Sequence, residues 1–402
     1  MIFVVEDKRI DVAKEKYELV ERKGVGHPDT LADAIAEKVS VNYCKYFFEK
    51  YGRFAHHWFD KVVIIGGEAE FEFGRGQIIK PYKIIFAGKC ALFCGKEDVP
   101  IDKILFDSAK EVLESSLTNF DANNHMIIVN ELVDYQGAGR GKNRYQPKSE
   151  EDLISINSLE RVSNDCNLLS AYAPLSVLEE MVLEIERYIN GKEFKRKFPQ
   201  TGWDVKLVGC REVNAYKVLI NIPYISYMVA NVEEYMYLKS EIIKDLYAYI
   251  DQKWGVKVEL KINPQDDNEQ YYLTVLGSVA DTGDVGVVGR GNRINGLITP
   301  MRSMSIEAPA GKNPFDHTGK IYGYLAHKLA NELYTILGKP VEVNIFTSKE
   351  AKLDEPDHVS IKIKEWTSNS KEIDLVEGVV RKYLQNIDEI TKCFLGEEST
   401  LW

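Results

Sequence analysis

The sequence is poor in the features that mark several protein classes. No apolar run approaches the roughly 18 residues of a membrane-spanning helix, so no membrane span is expected of these 402 residues. The first 23 residues are charged from position 6 onward and lack the apolar segment of a secretory signal. Six cysteines, at 44, 90, 94, 166, 210 and 393, include no C-x-x-C pair. They read as reduced thiols of a cytoplasmic protein and suggest neither a disulfide frame nor a zinc site. An excess of positive charge is missing too. A net charge of −11 argues against a nucleic-acid or anionic-membrane binder.

What is present is ordinary for a globular protein: 45% hydrophobic and 28% charged residues. The length allows two or three domains or one large composite. Strands are expected at 61–67, 80–88, 125–132 and 256–262, and helices near 30–52, 99–117, 174–189, 229–253, 319–337 and 371–393. Strand pairs and helices recur in each third of the chain. The expectation is therefore an α/β (α+β) fold of three similar units, each a short mixed sheet covered by helices, in a pseudo-threefold arrangement. The units divide at about 1–120, 121–264 and 265–402, and are interleaved.

Against the acidic background, 281–317 concentrates glycine and basic side chains. Glycines 283, 286, 289 and 291 permit positive φ and close approach of backbone to a ligand. Arg290, Arg293 and Lys312 can hold negative charge, while Asp281 or Asp284 can hold a hard cation beside them. That combination suits a polyphosphate with its metal; the alternative is a glycine-rich surface turn with solvated charges. A second such place is 24–29, where Gly24, Gly26, His27 and Asp29 precede a helix whose amide groups favour an anion. Asp29 or Thr30 is the expected cap. Asp29, Asp33 and Glu37 share one helix face, which by itself reads as a solvated acidic stripe. Residues 135–153 lack periodicity and read as a loop, and their GAGRGK is not a Walker A motif, because the spacing is wrong and Asn143 stands where Ser or Thr belongs.

Four stretches carry a family resemblance: ERKGVGHPDTLADAIAE (21–37), FDANNHMIIVNELVDYQG (120–137), SNDCNLLSAYAPLS (163–176) and the GRGNR…NGLITP…GKNP block (283–314). Together, in order and over nearly the whole length, they resemble the S-adenosylmethionine synthetase (methionine adenosyltransferase) family, most of all its archaeal branch. The resemblance implies formation of S-adenosylmethionine from ATP and L-methionine by attack of sulfur on C5′. Triphosphate leaves and is then hydrolysed to diphosphate and phosphate. It also implies two Mg²⁺ ions per site, K⁺, and a homodimer with shared active sites. A neutral thioether nucleophile has no proton to lose, so cations around the departing triphosphate matter more than a general base.

Carried over residue by residue, the resemblance makes His27 a donor to the departing oxygen and Asp29 a Mg²⁺ ligand. Asp284 would serve the second metal or the nucleotide. Arg290, Lys312 and Lys206 would hold phosphate. Asp134 would bind the amino group or ribose. Asp165 and Tyr172 would line the nucleoside and methionine pockets. Arg293 and Asn313 belong to the matching block, and Glu68 is a weaker metal candidate. The chain departs from the archaeal pattern at 166–171, where Cys166, Leu168 and Ala171 replace a flexible run; the expectation is a narrower nucleoside side. A relative with altered substrate and a non-catalytic nucleotide-binding paralogue are the competing readings.

Overall fold

A computed structural model describes all residues except 8–10, 137–142, 156–160, 367–369 and 397–399. The GAGRGK run lies outside the described residues.

Three four-stranded mixed sheets form the fold. The first runs Met126–Val133, Tyr82–Cys90, His57–Ile65, Val285–Val287; the second runs Val258–Ile262, Ala215–Asn221, Lys206–Glu212, Tyr17–Lys23; the third runs Ile2–Glu6, His358–Ile363, Val341–Thr347, Asn167–Ala173. Each has one parallel pair followed by two antiparallel pairs. A parallel pair needs a crossover, and helices Ile101–Ser116 and Val232–Trp254 supply it in the first two sheets. In the third sheet the parallel strand comes from the other end of the chain. Each sheet therefore takes a strand from a distant part of the sequence: 285–287 joins the first, 17–23 the second, and 2–6 with 167–173 the third.

Helices pack on one face of each sheet, giving three separate apolar cores. The uncovered faces show large apolar side chains: Ile65, Ile127 and Val285 on the first sheet, Tyr17 and Leu19 on the second, Phe3, Leu168 and Phe346 on the third.

Several elements differ from expectation, each for a local reason. The first helix is Pro28–Tyr51, with His27 rather than Asp29 as its cap. Proline at the first helical position needs no N–H partner, and Gly52, in the left-handed region, ends the helix as expected. The helix expected from 174 begins at Val177, because Ser176 and Glu179 form a capping box. The last helical stretch breaks at Asn386 into Ser370–Gln385 and Ile387–Leu395. Residues 167–173 are a strand. Strand alternation turns Leu169 and Ala171 into the core and leaves Leu168 62% exposed on the open face. Leu168 therefore does not narrow an internal pocket.

Candidate active site

The helix Pro28–Tyr51 organises the site. Its acidic stripe is buried, and each carboxylate holds a distant piece of backbone. Asp29 Oδ1 accepts from Val287 N at 2.9 Å and Asp33 Oδ1 from Gly289 N at 2.8 Å. Glu37 Oε2 accepts from Gly311 N at 3.0 Å. The same Glu37 is paired with the fully buried Lys320 at 2.6 Å. The solvated reading of this stripe is thus corrected: these acids fasten the glycine-rich stretch along the helix. The glycines answer two different needs. Gly283 and Gly289 have φ of 88° and 81°, whereas a Cβ on Gly286 would lie 2.0 Å from Pro28 O.

Around the helix entry the structure gathers His27, Asp29, Lys206 and Asp284. The turn is set by Gly24 N and Gly26 N, which donate to Val205 O at 2.7 Å and Trp203 O at 3.1 Å. His27 Nδ1 accepts from Asp29 N at 3.2 Å. Burial lowers the ring's pKa to about 4, with Lys23 and Lys206 lowering it further and Asp29 and Asp284 opposing. The ring is therefore neutral near pH 7, and its proton sits on Nε2. Lys23 Nζ bonds Asp29 Oδ2 and Arg290 O, both at 2.8 Å. Lys206 is half-exposed and pairs with Glu21 at 3.1 Å. Asp284 and Arg290 are exposed, and neither side chain has a hydrogen-bond or ion-pair partner among the described residues.

Lys312 stands in a second group. It is buried, with Asp60 at 2.6 Å and Glu307 at 2.8 Å. Burial works against its charge, but the two carboxylates outweigh this and raise its pKa. Asp165 shares a cavity of about 170 Å³ with Asp60 and Glu307. Tyr172 is in a third place: its hydroxyl donates to Glu179 at 2.9 Å and accepts from the Thr299 hydroxyl at 3.1 Å, with Arg302 over the ring at 4.2 Å.

The remaining expected residues have local partners. Arg293 folds beneath its own loop, donating to Gly289 O at 2.6 Å and Gly291 O at 2.9 Å. Asn313 is buried and bonds Ala55 O and Phe315 N. Asp134 accepts from Gln146 at 3.2 Å. Glu68 is exposed and paired with Lys80 on a hairpin. Sequence reasoning did not single out Lys23, Asp60, Glu307 or Lys320. Only the charge of Lys23, next to the GVGHPD turn, offered a signal.

A model described as S-adenosylmethionine synthetase (AdoMet synthetase) matches residues 1–398. The chain belongs to the S-adenosylmethionine synthetase family. An S-adenosylmethionine synthase from Pyrococcus furiosus is 36% identical over all of this chain and 99% of its own. One from Pyrobaculum aerophilum is also 36% identical, over the whole of both chains. One from Saccharolobus solfataricus is 36% identical over 98% of this chain and 97% of its own. In fold the chain is similar to the solved structure of an S-adenosylmethionine synthetase from Campylobacter jejuni, with a TM-score of 0.62 at 13% identity, covering 94% of this chain and 93% of that one. In S-adenosylmethionine synthetase terms, the matched region spans all three sheets and both charged groups.

Proposed function

We propose that this chain forms S-adenosylmethionine from ATP and L-methionine, with His27, Lys206, Arg290 and Lys312 acting on the polyphosphate. The observation that carries the reading is the neutral His27 ring, held by its own helix cap with Nε2–H free to donate beside Lys206 and Asp284. Sulfur attacks C5′ as the C5′–O bond breaks, and negative charge collects on the triphosphate. His27 would donate to that oxygen, while Lys206 and Arg290 would hold the chain of phosphates. Subsequent hydrolysis gives diphosphate and phosphate.

The donor set fits Mg²⁺ carried by substrate. Among the described residues no group of three or more His, Cys, Asp or Glu side chains could hold a metal. Magnesium is usually bound by one or two carboxylates plus phosphate and water, and the unpartnered Asp284 meets that need. Asp29 is the second candidate, although its two oxygens are occupied by Val287 N and Lys23 Nζ. When bound, the metal would neutralise developing phosphate charge. Two Mg²⁺ ions per site, and K⁺, remain part of the proposal, with Glu68 the weakest of the metal candidates.

Asp134, Asp165, Tyr172, Arg293 and Asn313 are proposed to line or frame the nucleoside and methionine sides. The protein is proposed to be cytoplasmic; among the described residues no helix is long and apolar enough to cross a membrane. A homodimer with shared sites is supported by the apolar side chains on the open sheet faces. Tyr17, Leu19, Glu21 and Lys23 alternate along one such face, with Lys206 paired opposite Lys23. The units 1–120, 121–264 and 265–402 are kept as approximate, interleaved divisions.

The test is to mix the protein with ATP, Mg²⁺, K⁺ and L-methionine and look for the sulfonium product by mass spectrometry. Product with the mass of S-adenosylmethionine supports the reading. A product only from another nucleotide or amino acid points to the altered-substrate relative, and nucleotide binding without turnover to the non-catalytic one.

A further inference from the structure

Lys195, on the short helix Lys192–Lys197, sets its amine behind the turn that ends at His27. Its Nζ donates to Gly202 O at 2.6 Å, Thr201 Oγ1 at 3.2 Å and Thr201 O at 3.4 Å. It also lies 4.8 Å from the centre of the Trp203 ring. None of these partners is a carboxylate. Burial lowers the pKa of the amine to about 7, with Glu186 opposing. A lysine kept where its charge is disfavoured, with its donors spent on backbone oxygens, is placed for its N–H groups.

From Lys195 the contacts reach the site in two steps. Trp203 O accepts from Gly26 N at 3.1 Å, one residue before His27. The approach is close: a Cβ on Gly26 would lie 2.6 Å from the Trp203 carbonyl carbon. Asn190 Nδ2 supports the same Trp203 O at 3.1 Å and also bonds Glu186 Oε1 at 2.6 Å. The Trp203 indole is tied at its edge, Nε1 donating to Thr118 Oγ1 at 3.1 Å. Residues 201–203 thus form a strap, held by Lys195 on one side and carrying the His27 turn on the other.

We infer that Lys195 is a positioning residue for the proposed reaction: by holding 201–203 it fixes, through Trp203 O and Gly26 N, the place from which His27 donates to the departing oxygen. The inference rests on the proposed function for that donation. Lys195 acts through His27 and touches no substrate. Without its amine, Gly202 O and Thr201 O lose these donors and the strap loosens. A shift of about 1 Å in a reacting group can lower a rate by about a hundredfold, so a slackened His27 turn should be visible in turnover.

The experiment uses the full chain and the variants Lys195→Met, His27→Asn and their double. Lys195→Met keeps an unbranched side chain and removes the donors; Lys195→Gln, which is shorter and keeps one amide donor, replaces it if Lys195→Met does not fold. In Lys195→Met, kcat should fall by about tenfold or more, with KM for ATP and for L-methionine changed less than about twofold. The double variant should be no slower than His27→Asn alone, because residues that act through one group are not additive. Hydrogen exchange over 24–26 should speed up by about tenfold or more in Lys195→Met, while 286–289 and 311 exchange as in the wild type. Wild-type kcat in a folded variant overturns the inference. So do losses that multiply in the double variant, and so does unchanged exchange over 24–26. If the wild type makes no product yet exchange over 24–26 depends on Lys195, the proposed function fails and the hold of Lys195 on the turn stands.

Discussion

Asp33 Oδ1 accepts the N–H of Gly289 at 2.8 Å, across 256 residues of sequence. A carboxylate one helical turn past the GHPD entry thus fixes the loop that carries Arg290. Asp29 and Glu37 do the same on either side, so three turns of one helix set the register of the glycine-rich stretch. The helix is the ruler against which the phosphate-binding backbone is laid.

Burial raises the pKa of Asp33 to about 7, opposed by the Gly289 N–H and Arg293. The sign follows from linkage: the folded state holds a proton that the unfolded chain releases near pH 4. Stability is therefore greatest below pH 4 as far as this group is concerned, and falls as pH rises from about 4 to 7. Asp33→Asn keeps an acceptor for Gly289 and removes the titration. Melting temperature measured from pH 4.5 to 7.5 should decline less steeply in the variant than in the wild type. Parallel curves would show that Asp33 does not titrate in that window.

His27 combines two roles that substitution can separate. Its Nδ1 caps the helix through Asp29 N, while Nε2–H is left as a donor. His27→Asn retains a side-chain cap but not the ring donor. Turnover should fall roughly 10²- to 10³-fold, the usual loss for one donor to a developing oxyanion, with melting temperature nearly unchanged. Because burial lowers the ring's pKa to about 4, wild-type turnover should show no step from this group between pH 6 and 8. Near-normal product formation by His27→Asn would remove the ring from the mechanism.

Much of this was legible in the chain. Motif order gave the family, element periodicity gave three α/β units, and the 29, 33, 37 spacing was plain. What lies opposite that spacing was not. Gly311 and Lys320 meet Glu37 from 274 and 283 residues away, and no local rule reaches so far. For the same reason strands 2–6 and 17–23 were missed, since the first is completed by 358–363 at the far end of the chain and the second by 206–212 near its middle. At 166–171 the missing glycines suggested a stiffened loop around an internal pocket. Strand pairing with 341–347 turns Leu168 outward, while Leu169 and Ala171 face the core and line a cavity with Tyr172 and Arg293.

The Glu37–Lys320 pair is buried and ties the first helix to Thr318–Leu337. Breaking a buried pair on one side leaves a desolvated charge, at about 3–5 kcal/mol. Glu37→Leu or Lys320→Met alone should lower unfolding free energy by that order in denaturant titration. The double variant should recover part of it, since two apolar groups of similar size can replace a buried pair, while the Gly311 N–H stays without its Glu37 acceptor. Additive losses in the double variant would refute a pairwise bond.

Assembly is checked by light scattering. The open sheet faces carry Phe3, Leu19, Ile65, Ile127, Leu168 and Phe346, and a two-fold contact between copies would cover them. Active protein is expected at twice the chain mass of 45.8 kDa. A monomer with full activity would dismiss shared active sites.

Asp284 offers the cleanest probe of the metal. Its carboxylate has no partner among the described residues, so Asp284→Asn removes charge without breaking a contact, whereas the same change at Asp29 would also loosen Lys23 and Val287. A neutral amide is a poor ligand for a hard cation. The Mg²⁺ concentration for half-maximal activity should rise about tenfold or more in Asp284→Asn, while melting temperature without Mg²⁺ stays within a degree or two of wild type, on the order expected for an exposed substitution. Saturating Mg²⁺ should restore part of the turnover if Asp284 acts through the ion. If the Mg²⁺ dependence is unchanged and turnover is lost at every concentration, Asp284 contacts the nucleotide directly instead. Activity of the wild type in excess chelator would remove the metal from the reaction altogether.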